Sequence, residues 1–580
     1  MKHFLFLLLF PLICFSQTSQ DKKNIISKTN VTVLKRISEE SARKFKENKT
    51  QALAFAKSRN WSRTIFKDSV FSELIGITPD LKPIYNSTFN KGAGITSRAN
   101  RLHSGGSLGL SINGENMTAG VWDAGSGMPS HQLFSNRLEV MDNAPSSHYH
   151  SAHVAGTIIG SDLFQNGNAK GMAFKGNVKS YDWNSDVSEI ATAAANGLLV
   201  SNHSYGRNPF GLNINEWGKY DTQAQSLDEI MFNAPYYQFV CAAGNSRVYG
   251  VNTGKNGFDL LSGHATSKNG ITVAAVEEVL NYTGAASVPM SEFSSWGPTD
   301  DGRIKPDISA KGVDTFSALD SSISSYGLLS GTSMASPSVA GTLLLYQQYF
   351  KQLNNSFMKA STLRGLMIHT ADEAGADPGP DYKFGWGLIN AEKAAEVIKK
   401  NQTESFILEN NINNGETYTL SVNALGTEPL IATLCWTDPK GNIPGNSTDD
   451  PTALLVNNLD LKLSQNSTVH YPWKLDRNNL NNAATKGEND VDNVEKVNID
   501  NPLGSYLITI NHKGVLQGGA QNYSLIISGV TANDFWTVPT ANELAVCEGS
   551  SSVTYDFALR TKSNFNETVS FSAVNLPGNV

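Results

Sequence analysis

The run GTSMASPSVAG, residues 331–341, places a turn of small residues and a serine directly ahead of a strongly helical stretch. Val339, Ala340, Leu343, Leu344 and Tyr346 recur at three-to-four-residue spacing, which predicts a helix from residue 333 to about residue 350. Pro337 is expected in its first turn, where a missing N–H costs nothing. Ser333 would then lie where unpaired backbone N–H groups and the positive end of the helix dipole collect, so negative charge developing beside its hydroxyl would be stabilised. An ordinary serine cap has the same local wording. The partners available to Ser333 decide between the two.

A serine hydroxyl becomes an effective nucleophile when a base removes its proton and a carboxylate orients that base. The chain offers both upstream. Asp123 ends an apolar, strand-like run in MTAGVWDAGSG, and His153 lies in HSAHVAGTIIG at the opening of a small-residue helix. Two further segments stand between the histidine and Ser333: FVCAAGNS at 239–246 and SEFSSWGPTDDGRIKPDISAKG at 291–312. These five blocks, in the order aspartate, histidine, serine, resemble the subtilase family of serine endopeptidases over roughly residues 95–400.

The resemblance implies a nucleophile at Ser333, a general base at His153, an orienting carboxylate at Asp123 and an oxyanion-binding amide at Asn245. It also implies that VSNHSYG at 200–206 pairs with the substrate backbone, and that Ser204, Tyr205, Gly206, Ala242, Ala243 and Gly244 wall a specificity pocket open to a large apolar side chain. Ser151, Ala152 and Ala124 depart from the family's usual wording without removing an ionisable group. A catalytically degenerate binding or adhesion protein on the same scaffold is the alternative, and the intact triad residues count against it.

Length calls for several domains. Residues 1–16 have a basic start and a short apolar core, the pattern of a cleaved signal peptide, so the protein is expected to be secreted, or attached to the cell surface if a sorting segment follows. Residues 17–95 are polar with a Lys/Glu-rich helical stretch at 38–58, and their position fits the propeptide of a zymogen. Residues 96–400 alternate short apolar runs with helical patterns, which predicts an α/β domain with a doubly wound, mostly parallel sheet. Beyond 401 the period falls to two, with runs at 417, 430, 459, 506 and 523, which predicts a β-sandwich or jelly roll over 401–532. Its phrases resemble the P-domain-like barrel that follows some bacterial subtilase domains. Residues 533–580 read as the start of an immunoglobulin-like module, too short to close a core alone.

The chemistry implied needs no cofactor, while the resemblance of the second domain brings structural calcium, with Asp438, Asp460, Asp490 and Asp492 as candidate ligands. The net charge of −7 over 580 residues includes no basic tract, which argues against nucleic acid and for protein or peptide substrates. No segment beyond the leader is apolar for long enough to span a bilayer. A monomer is expected. The four cysteines are scattered and form no disulfide framework; Cys241 is expected as a small buried hydrophobe.

Overall fold

Short strands rich in Val, Ala and Ile, separated by helices, assemble one seven-stranded sheet in which every neighbouring pair is parallel. Across it the strands run Ile308–Lys311, Ile271–Val276, Gln238–Ala242, Val200–His203, Thr118–Asp123, Asn177–Asp182 and Leu138–Val140. Thr118–Asp123 comes first in the chain; the next two strands lie on one side of it and the remaining four on the other, built outward in chain order. The order therefore reverses between Thr118–Asp123 and Val200–His203, and a crevice opens beyond their carboxyl ends. This is the doubly wound α/β architecture expected. The computed structural model describes residues 18–59, 61–67, 70–78, 82–88, 94–532, 535–539, 557–561 and 565–571. The expected leader and most of the expected last module lie outside the described residues.

The helix read from GTSMASPSVAG runs Thr332–Asn354, and every residue from Thr332 to Lys351 is buried. An apolar stripe would suit a surface helix, but here small residues let the sheet and its neighbours close around all sides. A Cβ on Gly341 would stand 2.7 Å from Met172 Cβ, which shows how near the packing comes. Since the helix begins at Thr332, Pro337 falls in its second turn rather than its first.

Ahead of the sheet, helices Ser19–Ser27 and Val31–Arg59 and strands Thr64–Lys67, Val70–Ile77 and Pro83–Thr88 form a separate layer. Leu34 and Ile37 of the long helix join a buried cluster with Trp122, Trp183, Ile190 and Ala194 of the α/β domain. Ser38 bonds Ser188 and Thr192, Arg36 pairs with Glu229, and Lys351 with Asp21.

After the α/β domain come two antiparallel sheets. One holds Ser405–Asn413, Ala520–Ser528, Leu430–Trp436 and Val494–Ile499; the other holds Thr468–His470, Asn458–Gln465, Ser505–Lys513, Tyr418–Ala424 and Val530–Thr531. Their facing sides bury Leu434, Leu461, Ile508 and Leu525, which makes the expected sandwich. The outer side of the first sheet packs on helix Ala360–His369. Gly365 is the contact point: a Cβ there would lie 2.8 Å from Ile526 Cδ1 and 3.0 Å from Cys435 Cβ. Lys268 pairs with Asp438, both fully buried, and Arg364 donates to Trp436 O at 2.9 Å and to Asn493 O at 3.2 Å.

Gly365→Val should cost about 1–3 kcal/mol through overpacking of that seam. The measurement is the urea unfolding midpoint in a Ser333→Ala background, and an unchanged midpoint would mean that the helix–sheet contact gives way freely.

Candidate active site

Asp123 sits at the carboxyl end of the central strand, fully buried. Its Oδ1 accepts from Ala124 N at 2.7 Å and is paired at 2.6 Å with Nδ1 of His150, not His153. The histidine expected to face Asp123 was His153; the ring that reaches it is His150, three residues earlier. Helix Tyr149–Ile159 is capped by His148, and His150, in its first turn, is the histidine that reaches the strand end.

His153, nearly one turn further, is fully buried, with Nε2 lying 3.2 Å from Thr315 O and 3.2 Å from Gly327 O. Both neighbours are acceptors, so Nε2 carries the proton, and Nδ1 has no hydrogen-bond partner. Burial pushes the imidazole down to about 3. His153 thus pins the helix to the hairpin of Thr315–Ala318 and Tyr326–Leu329.

Ser333 lies in the first turn of its helix. Pro337 has no N–H to give the Ser333 carbonyl, and Ser204 Oγ supplies that bond instead at 2.8 Å. In return Ser333 Oγ donates to Ser204 O at 2.8 Å. The reciprocal pair ties Ser333 to the end of the neighbouring central strand.

Asn245 is 5% exposed, and its Oδ1 accepts from both Thr332 N and Thr332 Oγ1 at 2.9 Å. The amide is thereby fixed with Nδ2 as its available donor, beside the serine that follows Thr332. Thr332 also accepts from Gly244 N at 3.0 Å. The sequence reading missed Thr332 in this positioning role; its hydroxyl beside Ser333 was the only signal.

Of the expected pocket residues, Ser204 is taken up by Ser333, and Ala242 and Ala243 are buried at the end of their strand. Gly244 has φ of 102°, a conformation that favours glycine. Tyr205 departs from expectation. Its ring is 1% exposed and its hydroxyl donates to Asp186 Oδ2 at 2.7 Å, so the side chain belongs to the core and only its backbone faces the crevice. That backbone, in strand Tyr205–Arg207, is paired with Pro83–Thr88, with Thr88 opposite Tyr205, Ser87 opposite Gly206 and Asn86 opposite Arg207.

The four candidate metal ligands do not converge. Asp438 is held by Lys268 and by the amides of Val456 and Asn457. Asp492 accepts from Ile304 N and Asn489 Nδ2, while Asp460 and Asp490 both pair with Lys513. Asp438, Asp460 and Asp492 are buried, while Asp490 is exposed. Among the described residues, the carboxylates that do converge are Asp259, Asp300 and Asp449. Cys241 and Cys435 are buried and unpaired; burial pushes the Cys241 thiol up to about 12, the state of an inert packing residue.

Residues 114–387 match the Subtilase family of peptidases. The chain is 32% identical over 174 residues to the C5a peptidase of Streptococcus pyogenes serotype M3, covering 28% of this chain and 14% of that one. It is 29% identical over 297 residues to the serine protease/ABC transporter B family protein tagA of Dictyostelium discoideum, covering 44% of this chain and 16% of that one. The PII-type proteinase of Lacticaseibacillus paracasei is 29% identical over 165 residues, 26% of this chain and 8% of its own. The chain therefore spans only a small part of these relatives. The solved patellamide maturation protease PatA is similar at 21% identity and a TM-score of 0.39, over 50% of this chain and 98% of its own.

His150→Ala should abolish turnover, with a loss on the order of 10⁶-fold. His153→Ala should keep much of it and instead lower stability. Because folding holds His153 neutral with a depressed pKa, the unfolded chain binds the extra proton below pH about 6.5, and stability is lost as pH falls toward 3. The stability deficit of His153→Ala should accordingly shrink by roughly 2 kcal/mol between pH 7.5 and pH 5. Urea titrations at the two pH values measure it; a constant deficit would mean that the ring is not held neutral.

Proposed function

Since residues 114–387 form a subtilase domain, we propose that the chain is a secreted serine endopeptidase that hydrolyses proteins or peptides through Asp123, His150 and Ser333. The observation that supports this reading is the buried Asp123–His150 pair at 2.6 Å at the carboxyl end of its strand, with Ser333 bonded to Ser204 just past the end of the neighbouring strand and Asn245 bonded to Thr332 beside it. Asp123 fixes the proton on Nδ1, which leaves Nε2 as the basic atom. A turn about χ1 releases the Ser333 hydroxyl from Ser204 O, and His150 takes its proton as Oγ attacks the carbonyl. Ser333 N–H and Asn245 Nδ2 hold the oxyanion. His150 then protonates the leaving amine, and water repeats the cycle on the acyl-enzyme.

The same reading makes residues 17–95 an inhibitory propeptide. Pro83–Thr88 lies along Tyr205–Arg207 as an extended substrate would, filling the main-chain hydrogen bonds that give strand addition its affinity. Secretion follows from the leader at residues 1–16. Substrates are extended chains, since the paired edge accepts backbone and only side-chain pockets select.

Ser333→Ala should lower kcat on the order of 10⁶-fold and Asn245→Ala about 10²- to 10³-fold, measured on casein. The parent should react with a fluorophosphonate probe and the Ser333→Ala protein should not, and the latter should accumulate with residues 17–95 attached. Absence of labelling in the propeptide-free parent would reject the peptidase reading in favour of a binding role.

A further inference from the structure

Strand Pro83–Thr88 runs antiparallel to Tyr205–Arg207, so its amino end points past Arg207 toward the loop at 208–216. Lys82 is bonded there, its Nζ donating to Asn213 Oδ1. Just upstream of Lys82 the N-terminal layer folds back on itself. Ile77 is paired opposite Pro83, Thr78 N donates to Lys82 O at 2.9 Å, and Lys82 N donates to Thr78 Oγ1 at 2.9 Å. Where the layer folds back, a cavity of about 1220 Å³ remains between it, the loop and the sandwich.

The lining of this cavity divides by chemistry. The charged groups that the α/β domain brings to it already have partners: Arg207 pairs with Asp221 at 2.9 Å, Glu216 accepts from Asn213 N at 2.8 Å, and Asp186 accepts from Tyr205 and Gln223. The apolar side chains stay uncovered. Ile214 is 60% exposed, Ile443 is 38% exposed, and Leu212 is half-buried. Ile443 belongs to the sandwich, in the loop between strands Leu430–Trp436 and Asn458–Gln465. That loop is fixed against the α/β domain: Asn215 Nδ2 donates to Asn446 O at 3.0 Å, Lys219 Nζ to Asn446 Oδ1 at 2.9 Å, and Gln225 Nε2 to Gly441 O at 2.8 Å. None of these bonds involves the N-terminal layer, so the wall carrying the two isoleucines does not need it.

An extended substrate in the place of Pro83–Thr88 reaches this wall by continuing straight instead of folding back. Lys82, at Asn213, stands four positions before Asn86, the residue opposite Arg207. At about 3.3 Å per residue, roughly one or two more residues bring a side chain to Ile214 and Ile443. We propose, on the peptidase reading, that Leu212, Ile214 and Ile443 form a remote substrate subsite that takes an apolar side chain about five or six positions upstream of the residue paired with Arg207. Covering exposed apolar surface supplies the affinity. The charges around it are spent on one another and offer an incoming side chain no counter-ion. The sandwich thereby takes part in choosing the substrate.

The test lengthens a peptide that is cleaved at one bond, from about four to about twelve residues ahead of that bond, with one leucine moved through added serines. For the active, secreted protein kcat/KM should rise about 10-fold when the leucine reaches the proposed positions, mainly through KM, because the contact is made before and during reaction alike. In Ile214→Ser and in Ile443→Ser the ratio between the leucine and all-serine peptides should fall to about 1. The two residues are exposed on different loops, so each variant checks the other. A parent indifferent to the position of the leucine, or variants that keep the parent's ratio, would overturn the subsite while the short peptide is still cleaved. Failure to cleave even the short peptide would reject the peptidase reading, and the subsite with it.

Discussion

A proline in the second turn of a buried helix leaves one carbonyl without its intrahelical donor, and here that carbonyl belongs to Ser333. A bare carbonyl inside the protein would be costly, and Ser204 removes the cost with its hydroxyl. The bond does more than satisfy an acceptor. It sets the start of the helix against the end of the strand Val200–His203, and so fixes where the serine stands relative to the edge that receives an extended chain. Thr332 applies the same logic on the other side, holding the Asn245 carbonyl so that the amide donor has one orientation. Preorganisation of this kind spares reorganisation during reaction.

The strand Tyr205–Arg207 has an open edge, and an open edge invites pairing with any extended chain. In the intact chain Pro83–Thr88 fills it, held in turn by a long helix that shares a hydrophobic cluster with the α/β domain. The N-terminal layer thus combines a broad apolar contact with a short strand placed at the functional edge. Its apolar contact lies on the helix, and its strand pairing on Pro83–Thr88.

Much of this was legible in the sequence. The alternation of apolar runs and helical stretches gave the doubly wound sheet, and period-two runs gave the sandwich strands, because both follow from side-chain periodicity alone. Asp123 and Ser333 stand out in the sequence at small-residue turns beside apolar runs, and Asn245 through the family resemblance. The histidine was not, because HSAH offers two rings three residues apart and only the start of the helix decides which one meets Asp123. Tyr205 was misread because strand alternation buries its ring while its backbone stays at the crevice. The lysines that pair with three of the sandwich aspartates, Lys268 with Asp438 and Lys513 with Asp460 and Asp490, are brought to them by the fold, as are Asp259, Asp300 and Asp449 to one another.

The seam between the α/β domain and the sandwich carries one further consequence. Lys268 and Asp438 are both out of water, and the Arg364 guanidinium is spent on carbonyls across the seam. His369 bonds Thr433 and Ser528 in the same way. Parting the two bodies would strand charges and donors that neither surface can satisfy alone. The change of sequence texture near residue 401 therefore marks a border of architecture and not of energy. Heat or denaturant meets the two as one cooperative unit, and a catalytic fragment cut at that border would be born with an unsatisfied, water-averse face.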